Sequence, residues 1–435
     1  MEETSSVTAQ GDVEEIENIT TLNGSTNSVT SDESGLNNSF VQNNDKYVPP
    51  DYIKLAHLEQ YMQNTDGLDT TSSLDNHFEY MQFLKDNDAL DEHGEIRLMV
   101  DKHCKYISQF LKSIPFYYQT FDSSKPWLFY YLLHPLTLMK QERKDLYPLC
   151  AKAILSCQSI YGGFSGSQYE YPHVMCTYAA VMTLCILGDN EALKQINRYK
   201  MYNLFLSLKH SDGSFSVHEH GESDIRGTYC VIILCSLLNM LTPEITAGVV
   251  DYVKSLRTYE GGYAGEYGGE AHGGYNHCAI AILRILKEPI YTPELDIWLS
   301  YCQAPLEGGF AGRINKLVDG CYTWYQGAAF DLVALDRPYN HTPSFNTAGI
   351  ERFCYKACQE IENNSPFIHG GLRDKPSVSI DPYHTCFVTS GLAIVEKTKD
   401  TSLLEINDPI YNITVSQLTK AQCIFKSMPC PPVQM

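Results

Sequence analysis

The chain has 435 residues, of which 43% are hydrophobic and 19% are charged, so it can bury at least one large core. Its formal net charge of −20 argues against a general nucleic-acid-binding protein. No segment approaches the roughly 18 consecutive apolar residues of a membrane span, so we expect no transmembrane helix.

Residues 1–50 are rich in Ser, Thr, Asn and acidic residues, with nine acids against one lysine. Such a composition cannot bury enough apolar surface to offset the entropy lost on ordering, so we predict a disordered acidic N-terminal extension. The N-terminus lacks the basic and apolar pattern of a secretory signal. Together with 15 cysteines, this predicts a cytoplasmic protein with reduced thiols.

A motif with a glycine-aromatic turn recurs through the rest of the chain. Clear copies are SCQSIYGGFSG (156–166), SLKHSDGSFSV (207–217), SLRTYEGGYAG (255–265) and YCQAPLEGGFAG (301–312), and FIHGGLRD (367–374) is a weaker one. The first glycines of the clear copies recur about every fifty residues, a period typical of helical hairpins. We expect these glycines to end helices in the left-handed conformation.

A strongly apolar segment follows each turn after a short loop, as in residues 228–240. A helix that is apolar on every side is buried on every side. The alternate segments are amphipathic and begin with helix-start signals such as Thr-Pro-Glu at 242–244 and 292–294. Because strand patterns are scarce, the sequence predicts an all-α protein of helical-hairpin repeats. The spacing leaves open whether the repeats close into a ring.

Polar and aromatic residues stand at the start of each predicted inner helix. If the repeats stack, these starts meet at one end and bring together His173, Tyr178, Arg226, Tyr229, His272, Tyr275, Asp319, Cys321, Tyr322, Tyr383 and His384. Helix N-termini attract anions, and several basic side chains nearby add positive charge: Arg226, His272, Arg313 and Lys316. Aromatic residues would line an apolar space beside them. This combination predicts a guest such as a prenyl diphosphate, anionic at one end and apolar along its length.

Asp319, Cys321 and His384 have the residue types of a zinc site with one open position. The spacing supports this weakly, because Asp-x-Cys is common and His384 lies far downstream. A buried cysteine is more often a small hydrophobic residue, and an aspartate at this place could cap its helix. From spacing alone, these structural roles are favoured. Structural roles are also expected for His173 and His277, and an ion-pair role remains open for Arg226.

Long segments of the chain resemble the signature segments of protein prenyltransferase β subunits. They are EAHGGY (270–275), GGFAGRINKLVDGCY (308–322) and YHTC (383–386), within a match from about residue 126 to 413. Among these subunits, the chain is most similar to those that transfer a farnesyl group. The resemblance implies a closed α/α toroid, one catalytic zinc ion and an obligate α-subunit partner built of helical repeats. It places the catalytic domain at residues 51–425 and a C-terminal tail at 426–435.

The resemblance also implies a reaction and its residues. A farnesyl group would pass from farnesyl diphosphate to the cysteine of a Cys-a-a-X tail, as in small GTPases. The catalytic residues would be the zinc ligands Asp319, Cys321 and His384, with Lys316 and Tyr322. The diphosphate would contact His272, Arg313, Lys316, Tyr322, an α-subunit lysine and Mg²⁺, which Asp374 helps to bind. The isoprenoid would contact Trp127, Tyr178, Arg226, Tyr229, Gly274 and Cys278, and the peptide would contact Trp127, Tyr131 and Tyr383.

Other functions fit the residues less well. A geranylgeranyltransferase type I β subunit is disfavoured by bulky Trp127 and Tyr178, which favour the shorter isoprenoid. It is also disfavoured by Asp374 and Tyr383, where resemblance to the type I subunit would imply a lysine and a smaller apolar residue. A Rab-type β subunit would be shorter, and no Asp-x-Asp-Asp motif points to a terpene cyclase. A non-catalytic helical-repeat scaffold is expected to have lost a metal ligand or a cation, yet all of them are present.

Two aromatic positions depart from the farnesyltransferase pattern. Tyr131 and Tyr325 stand where tryptophans are expected, and Trp324 precedes the second of them. Both positions keep an aromatic ring, so the expected reaction is unchanged while the detailed shape of the pocket differs.

Overall fold

The structure is a computed structural model that describes residues 97–338, 345–359 and 370–431. These residues belong to the unit Thr65–Met435. The expected N-terminal extension (1–50) lies outside the described residues. Within them the chain is helical, and its β pairing consists of isolated bridges, most of them at or beside the repeat turns. None of the described helices combines the length and the apolarity needed to cross a membrane.

The helices follow one another with short connections. In chain order they are α1 (Val100–Lys112), α2 (Lys125–Leu138), α3 (Tyr147–Ser156), α4 (Val174–Leu187), α5 (Asn190–Lys194), α6 (Arg198–Ser207), α7 (Ile225–Leu237), α8 (Pro243–Thr246), α9 (Val249–Ser255), α10 (Gly273–Ile285), α11 (Pro293–Tyr301), α12 (Tyr322–Ala334), α13 (Thr347–Phe353), α14 (Pro382–Val395) and α15 (Val415–Lys426). A 3₁₀ helix (Phe116–Ser124) precedes α2, and a π-helical turn (Cys354–Cys358) extends α13.

The inner helices form a closed ring. In the order α2, α4, α7, α10, α12 and α14, each packs against the next, and α14 packs against α2. As predicted from its uniform apolarity, α7 is buried along its length except at Arg226 and Ser236. The amphipathic helices α1, α3, α6, α9, α11 and α13 lie outside this ring. The predicted helix starts are also confirmed, since Thr242 caps α8 and Thr292 caps α11. The architecture is therefore an α/α toroid.

The repeated glycines do not end helices, so that part of the prediction is wrong. Helix α3 ends at Ser156 with a right-handed cap, and Gly162 lies farther on, in the following turn, at φ +109°. A Cβ at Gly162 would stand 2.2 Å from the carbonyl oxygen of Lys200 in α6. The glycine is needed because the turn passes directly against the backbone of the next outer helix.

The glycine turn before α14 meets α1, the first helix of the part of the chain that the structure describes, and this contact closes the ring. A Cβ at Gly370 would lie 2.1 Å from the carbonyl oxygen of Lys102 in α1. Buried His103 links the two ends, because its Nδ1 accepts a hydrogen bond from the Gly371 amide at 2.9 Å and its Nε2 lies 2.9 Å from Oε1 of Gln359. We call this junction the seam.

The N-termini of the inner helices lie at one end of the toroid, which we call the rim, and backbone hydrogen bonds link them there. The amide of Val174 at the start of α4 donates to the carbonyl of Val217 at 2.7 Å, in the turn of the next repeat. The amide of Gly273 at the start of α10 donates in the same way to Gly312 at 2.7 Å. This repeated link places the N-termini of neighbouring inner helices side by side, as the sequence predicts.

A buried acid in one of the turns makes stability depend on pH. Glu307 is 4% exposed, and burial raises its pKa from the usual 4.5 to about 7. Burying the ionised carboxylate destabilises the folded state. This destabilisation is therefore absent below pH 4.5 and fully present above pH 7. We expect Glu307→Gln to stabilise the protein by on the order of 1–3 kcal/mol at pH 8 and to have little effect at pH 4.5. Denaturant unfolding at both pH values measures this, with exposed Glu219→Gln as the control. Equal effects of Glu307→Gln at the two pH values would contradict it.

Candidate active site

Three predicted metal ligands meet where two neighbouring inner helices begin. Asp319 and Cys321 precede α12, and His384 lies in the first turn of α14. One ligand atom from each residue lies within 4.8 Å of the others. The set combines a carboxylate, a thiol and an imidazole, which suits a zinc-type ion held by three protein ligands. Ring packing thus brings together side chains that are far apart in sequence.

The backbone before α12 fixes the positions of Asp319 and Cys321. The amide of Gly320 donates to the carbonyl of Asp374 at 2.7 Å, so this turn lies close against the neighbouring repeat. Oδ1 of Asp319 accepts from the amide of Cys321 at 2.8 Å and also lies 3.3 Å from Nε2 of His384. The N-cap residue of α12 is Cys321 and no side chain caps this helix, so the helix-capping role considered for Asp319 is not observed. Its carboxylate instead fixes the turn that carries Cys321.

Asp381 holds His384 from the opposite side, and sequence reasoning missed it. Its Oδ1 accepts from the amide of His384 at 2.8 Å, and its Oδ2 lies 2.5 Å from Nδ1 of the same residue. This pair directs Nε2 towards Asp319. Such a carboxylate commonly orients a metal-binding histidine. The sequence signal was the Asp-Pro helix start three residues before His384.

The carboxylates and the burial of the cluster determine which of its groups are protonated. Burial lowers the pKa of His384, but hydrogen bonds to Asp319 and Asp381 outweigh it and raise the pKa well above its usual value. Burial and then the charge of Asp319 raise the pKa of the Cys321 thiol. Both groups therefore favour their protonated forms. A bound divalent cation would instead favour the thiolate form of Cys321, because metal coordination deprotonates a thiol ligand.

Asp374 adds a further carboxylate close to the turn that carries Asp319, since its own carbonyl accepts from the Gly320 amide. Its Oδ2 accepts from Nζ of Lys375 at 2.6 Å. Its Oδ1 is buried and has no hydrogen-bond partner among the described residues. Burial, followed by the charge of Asp319, raises the pKa of Asp374 to about 6. An unpaired carboxylate oxygen of this kind suits a hard cation such as Mg²⁺.

His272 and Tyr322 form the polar pair of the rim. Nδ1 of His272 accepts from the amide of Gly274 at 3.1 Å, so the ring proton is on Nε2. Nε2 then donates to the hydroxyl oxygen of Tyr322 at 2.9 Å. Burial, followed by the charge of Arg313, lowers the pKa of His272 to about 4, which keeps the ring neutral at pH 7. The hydroxyl proton of Tyr322 is consequently directed to another acceptor.

The two arginines of the rim each have an acidic neighbour. Arg313 lies 3.1 Å from Glu270, and Arg226 lies 2.7 Å from Asp224. The ion-pair role left open for Arg226 is therefore present in the structure. Its guanidinium also lies 5.7 Å from the ring of Tyr275. Lys316 is half-buried in the turn that leads to α12.

Aromatic rings from all the inner helices form a closed circle inside the toroid. We call this set the aromatic belt. In order it comprises Trp127, Tyr178, Tyr229, His277, Tyr325, Phe387 and Tyr131, with neighbouring ring centroids 5.1–6.2 Å apart. Tyr131 and Tyr325, the two departures from the expected tryptophans, both lie in it. Phe387 was not foreseen, because nothing in its local pattern sets it apart from other buried phenylalanines.

The remaining predicted residues surround the belt and the rim. Tyr383 packs on Tyr131 with ring centroids 5.5 Å apart, and Cys278 is buried in α10. Gly274 lies in the first turn of α10. His173 caps α4 by accepting from the Met175 amide at 3.1 Å, which confirms its structural role. His277 has a hydrogen-bond partner, as expected of a structural histidine, but its ring belongs to the belt.

Comparisons with known proteins give the family. The model of the "Prenyltransferase alpha-alpha toroid domain" matches residues 98–413. A protein farnesyltransferase subunit beta from Pyricularia oryzae is 35% identical over 332 residues, which cover 69% of this chain and 64% of that protein. The Pisum sativum protein of the same name is 31% identical over 402 residues, which cover 76% of this chain and 95% of that protein.

Geranylgeranyl-transferring relatives are more distant. The geranylgeranyl transferase type-1 subunit beta of Arabidopsis thaliana is 25% identical, over 68% of this chain and 85% of that protein. A solved structure of Candida albicans protein geranylgeranyltransferase-I complexed with GGPP shares the fold, with a TM-score of 0.66 at 22% identity, over 76% of this chain and 99% of that chain. The family match and the identities together show that the chain belongs to the protein farnesyltransferase β-subunit family, whose members are prenyl-transferring enzymes of the α/α-toroid fold.

Proposed function

We propose that this chain is the catalytic subunit that transfers a farnesyl group from farnesyl diphosphate to the cysteine thiol of a Cys-a-a-X protein tail. The observation that carries the proposal is the position of the Asp319–Cys321–His384 cluster. It lies beside the His272–Tyr322 pair and above the aromatic belt. This arrangement would bring a thiol-activating site, an anion site and an apolar space together in one toroid.

The three ligands fit one zinc ion and leave a coordination position for the substrate thiol. When bound, zinc lowers the pKa of that thiol from about 8.5, so that it reacts as a thiolate at neutral pH. The role of the protein is to fix the positions and orientations of the ligands. Asp381 orients His384, and the Cys321 amide orients the carboxylate of Asp319.

The leaving diphosphate requires stabilisation of the negative charge that develops on it. The new bond joins the thiol sulfur to the first carbon of the isoprenoid, and the bond from that carbon to the diphosphate oxygen breaks. Tyr322 can donate its hydroxyl proton as a hydrogen bond to that oxygen, and Arg313 and Lys316 supply positive charge. The N-termini of the inner helices add to this field. A lysine of the partner and Mg²⁺ near Asp374 would complete it.

The apolar part of the substrate fits the belt. Trp127, Tyr178 and Tyr229 would contact the isoprenoid, together with Arg226, Gly274 and Cys278. Aromatic faces there can also stabilise partial positive charge on the reacting allylic carbon. Trp127, Tyr131 and Tyr383 would contact the aliphatic residues of the peptide tail.

We also propose a partner and a compartment. Membership of a β-subunit family implies an α-subunit partner, here taken to be a protein of helical repeats, and small GTPases would be among the substrates. All 15 cysteines carry free thiols, which favours the reducing cytoplasm.

The test is a competition between two isoprenoids. The chain would be co-purified with a matching α subunit and offered a Cys-a-a-X peptide with equal farnesyl and geranylgeranyl diphosphate, zinc and magnesium. We expect mass spectrometry to detect the farnesyl thioether. A geranylgeranyl product would support the same reaction but show that geranylgeranyl diphosphate is the substrate, as in a type I enzyme. A folded, zinc-loaded heterodimer that forms no adduct would instead support a scaffold.

A further inference from the structure

A segment from the C-terminal part of the chain lies beneath the aromatic belt. We call residues 407–414 the floor segment. The chain enters from the end of the toroid opposite the rim, where the amide of Glu405 donates to the carbonyl of Leu138 at the end of α2, at 2.8 Å. Helix α15 leaves at the same end, where Nε2 of Gln417 donates to the carbonyl of Ile186 near the end of α4, at 3.0 Å. The floor segment thus rises into the toroid between two anchored ends.

Consecutive carbonyls of the floor segment each accept one hydrogen bond from a different inner helix. His277 of α10 bonds to Pro409 at 2.8 Å, and Tyr229 of α7 donates to Ile410 at 2.9 Å. Tyr178 of α4 donates to Tyr411 at 3.2 Å, and Tyr130 of α2 donates to Asn412 at 2.7 Å. Four neighbouring helices are thereby tied in sequence to four neighbouring residues, each through a side chain that carries an aromatic ring.

The floor segment is itself held in one conformation. Oδ1 of Asp408 accepts from the amides of Ile410 and Tyr411 at 2.9 and 3.0 Å. Asn412 is 2% exposed and has a left-handed backbone at φ 51°. Its Oδ1 accepts from Nδ2 of Asn407 at 2.8 Å. A segment fixed in this way can act as a rigid support for the rings above it.

The ties join the floor segment to the belt. Tyr178, Tyr229 and His277 are belt residues, so their polar atoms face the floor segment while their rings form the wall. Burial lowers the pKa of His277 to about 4, so the neutral ring keeps one N–H to donate. Tyr130 lies next to the belt, with its ring centroid 5.9 Å from that of Trp127. Moving any of these rings would leave a buried carbonyl without its partner, which is costly.

We propose that the floor segment limits the length of the isoprenoid, because its carbonyls fix the height of the rings that end the apolar space. This inference rests on the proposed function and adds a specificity-determining element to it. A chain longer by one five-carbon unit needs more depth. That depth requires one of the tied rings to move and its hydrogen bond to the floor segment to break.

The test removes the ties of two residues that are not among the isoprenoid and peptide contacts named above, and it leaves an aromatic ring at each position. Tyr130→Phe and His277→Phe, alone and combined, would be made in the heterodimer with its α subunit. We expect the ratio of kcat/KM for farnesyl over geranylgeranyl diphosphate to fall roughly tenfold in the double variant, through improved use of the longer substrate. Tyr202→Phe is the matched control, since it deletes a buried hydroxyl that bonds Thr242 at 2.7 Å on an outer helix. Its ratio should stay at the wild-type value.

The outcomes separate the inference from the function. If the wild-type heterodimer farnesylates the peptide but the double variant keeps the wild-type ratio, the floor segment has no part in length selection. A shift of equal size in Tyr202→Phe would also overturn the inference, because it would reflect general loosening. A wild-type heterodimer that transfers neither isoprenoid would remove the proposed function, and the inference with it. Thermal midpoints of all variants show whether any of them is merely less stable.

Discussion

Cys321→Ala is expected to reduce farnesyl transfer by more than about a hundredfold and to abolish retention of zinc. The substitution removes the one thiol of the cluster, leaving Asp319 and His384, which are too few ligands for a tight zinc site. Without the metal, only a few per cent of a thiol with a pKa of about 8.5 is ionised at pH 7, and its positioning is lost as well. Zinc content by atomic emission and single-turnover rates measure the two effects.

The matched control is Cys235→Ala. Cys235 is fully buried in α7, away from the cluster, so its loss tests the effect of a missing buried thiol alone. This variant should keep its zinc and its rate. Pairing with the α subunit should survive in both variants. Cys321→Ala protein that transferred farnesyl at the wild-type rate without zinc would show that the metal assignment is wrong.

Asp381→Asn should weaken zinc binding by roughly 10–100-fold while the fold remains intact. Asparagine can still cap α14, but it lacks the negative charge that pairs with Nδ1 of His384 at 2.5 Å. His384 then loses both part of its orientation and part of its basicity. Competition for zinc against a chelating dye measures the affinity.

A second helix cap provides the comparison for this variant. Asp189 caps α5 by accepting from the amide of Glu191 at 2.9 Å and is remote from the cluster. Asp189→Asn should leave zinc affinity unchanged. If Asp381→Asn binds zinc as tightly as the wild type, the carboxylate does not contribute to zinc binding and acts only as the cap of α14.

The repeat pattern was enough to predict the hairpins and the rim. The same helix-start signals recur in each repeat, and stacking such repeats necessarily brings the starts together. The first hairpin of the described residues, α1 and α2, was missed because a 3₁₀ helix replaces the glycine turn there. The glycine prediction was wrong because the turns are shaped by contact with the next repeat, which single-repeat reasoning does not contain.

The candidate site contains residues whose roles cannot be predicted from the neighbouring sequence. Residue types pointed to Asp319, Cys321 and His384, but spacing alone favoured structural roles, and the family resemblance was needed to choose. Phe387 was missed because its place in the belt depends on rings from other helices. Asp381 was missed because its local sequence indicates only a helix start, although it also bonds to His384 in the same helix. The floor segment could not be foreseen either, since Tyr130 and Asn412 become neighbours only when the toroid closes.

The seam has a consequence for how the chain folds. In an open array of repeats each unit contacts its neighbours alone, and stability grows step by step along the chain. Here Lys102 and Gly370, nearly the whole domain apart in sequence, press their backbones together. Bringing such distant residues together costs a large loop-closure entropy. Folding is therefore expected to be slow and to finish in one cooperative event. A ribosome must therefore release almost the entire domain before the enzyme can form, and a nascent chain stopped before residue 370 is a natural client for chaperones.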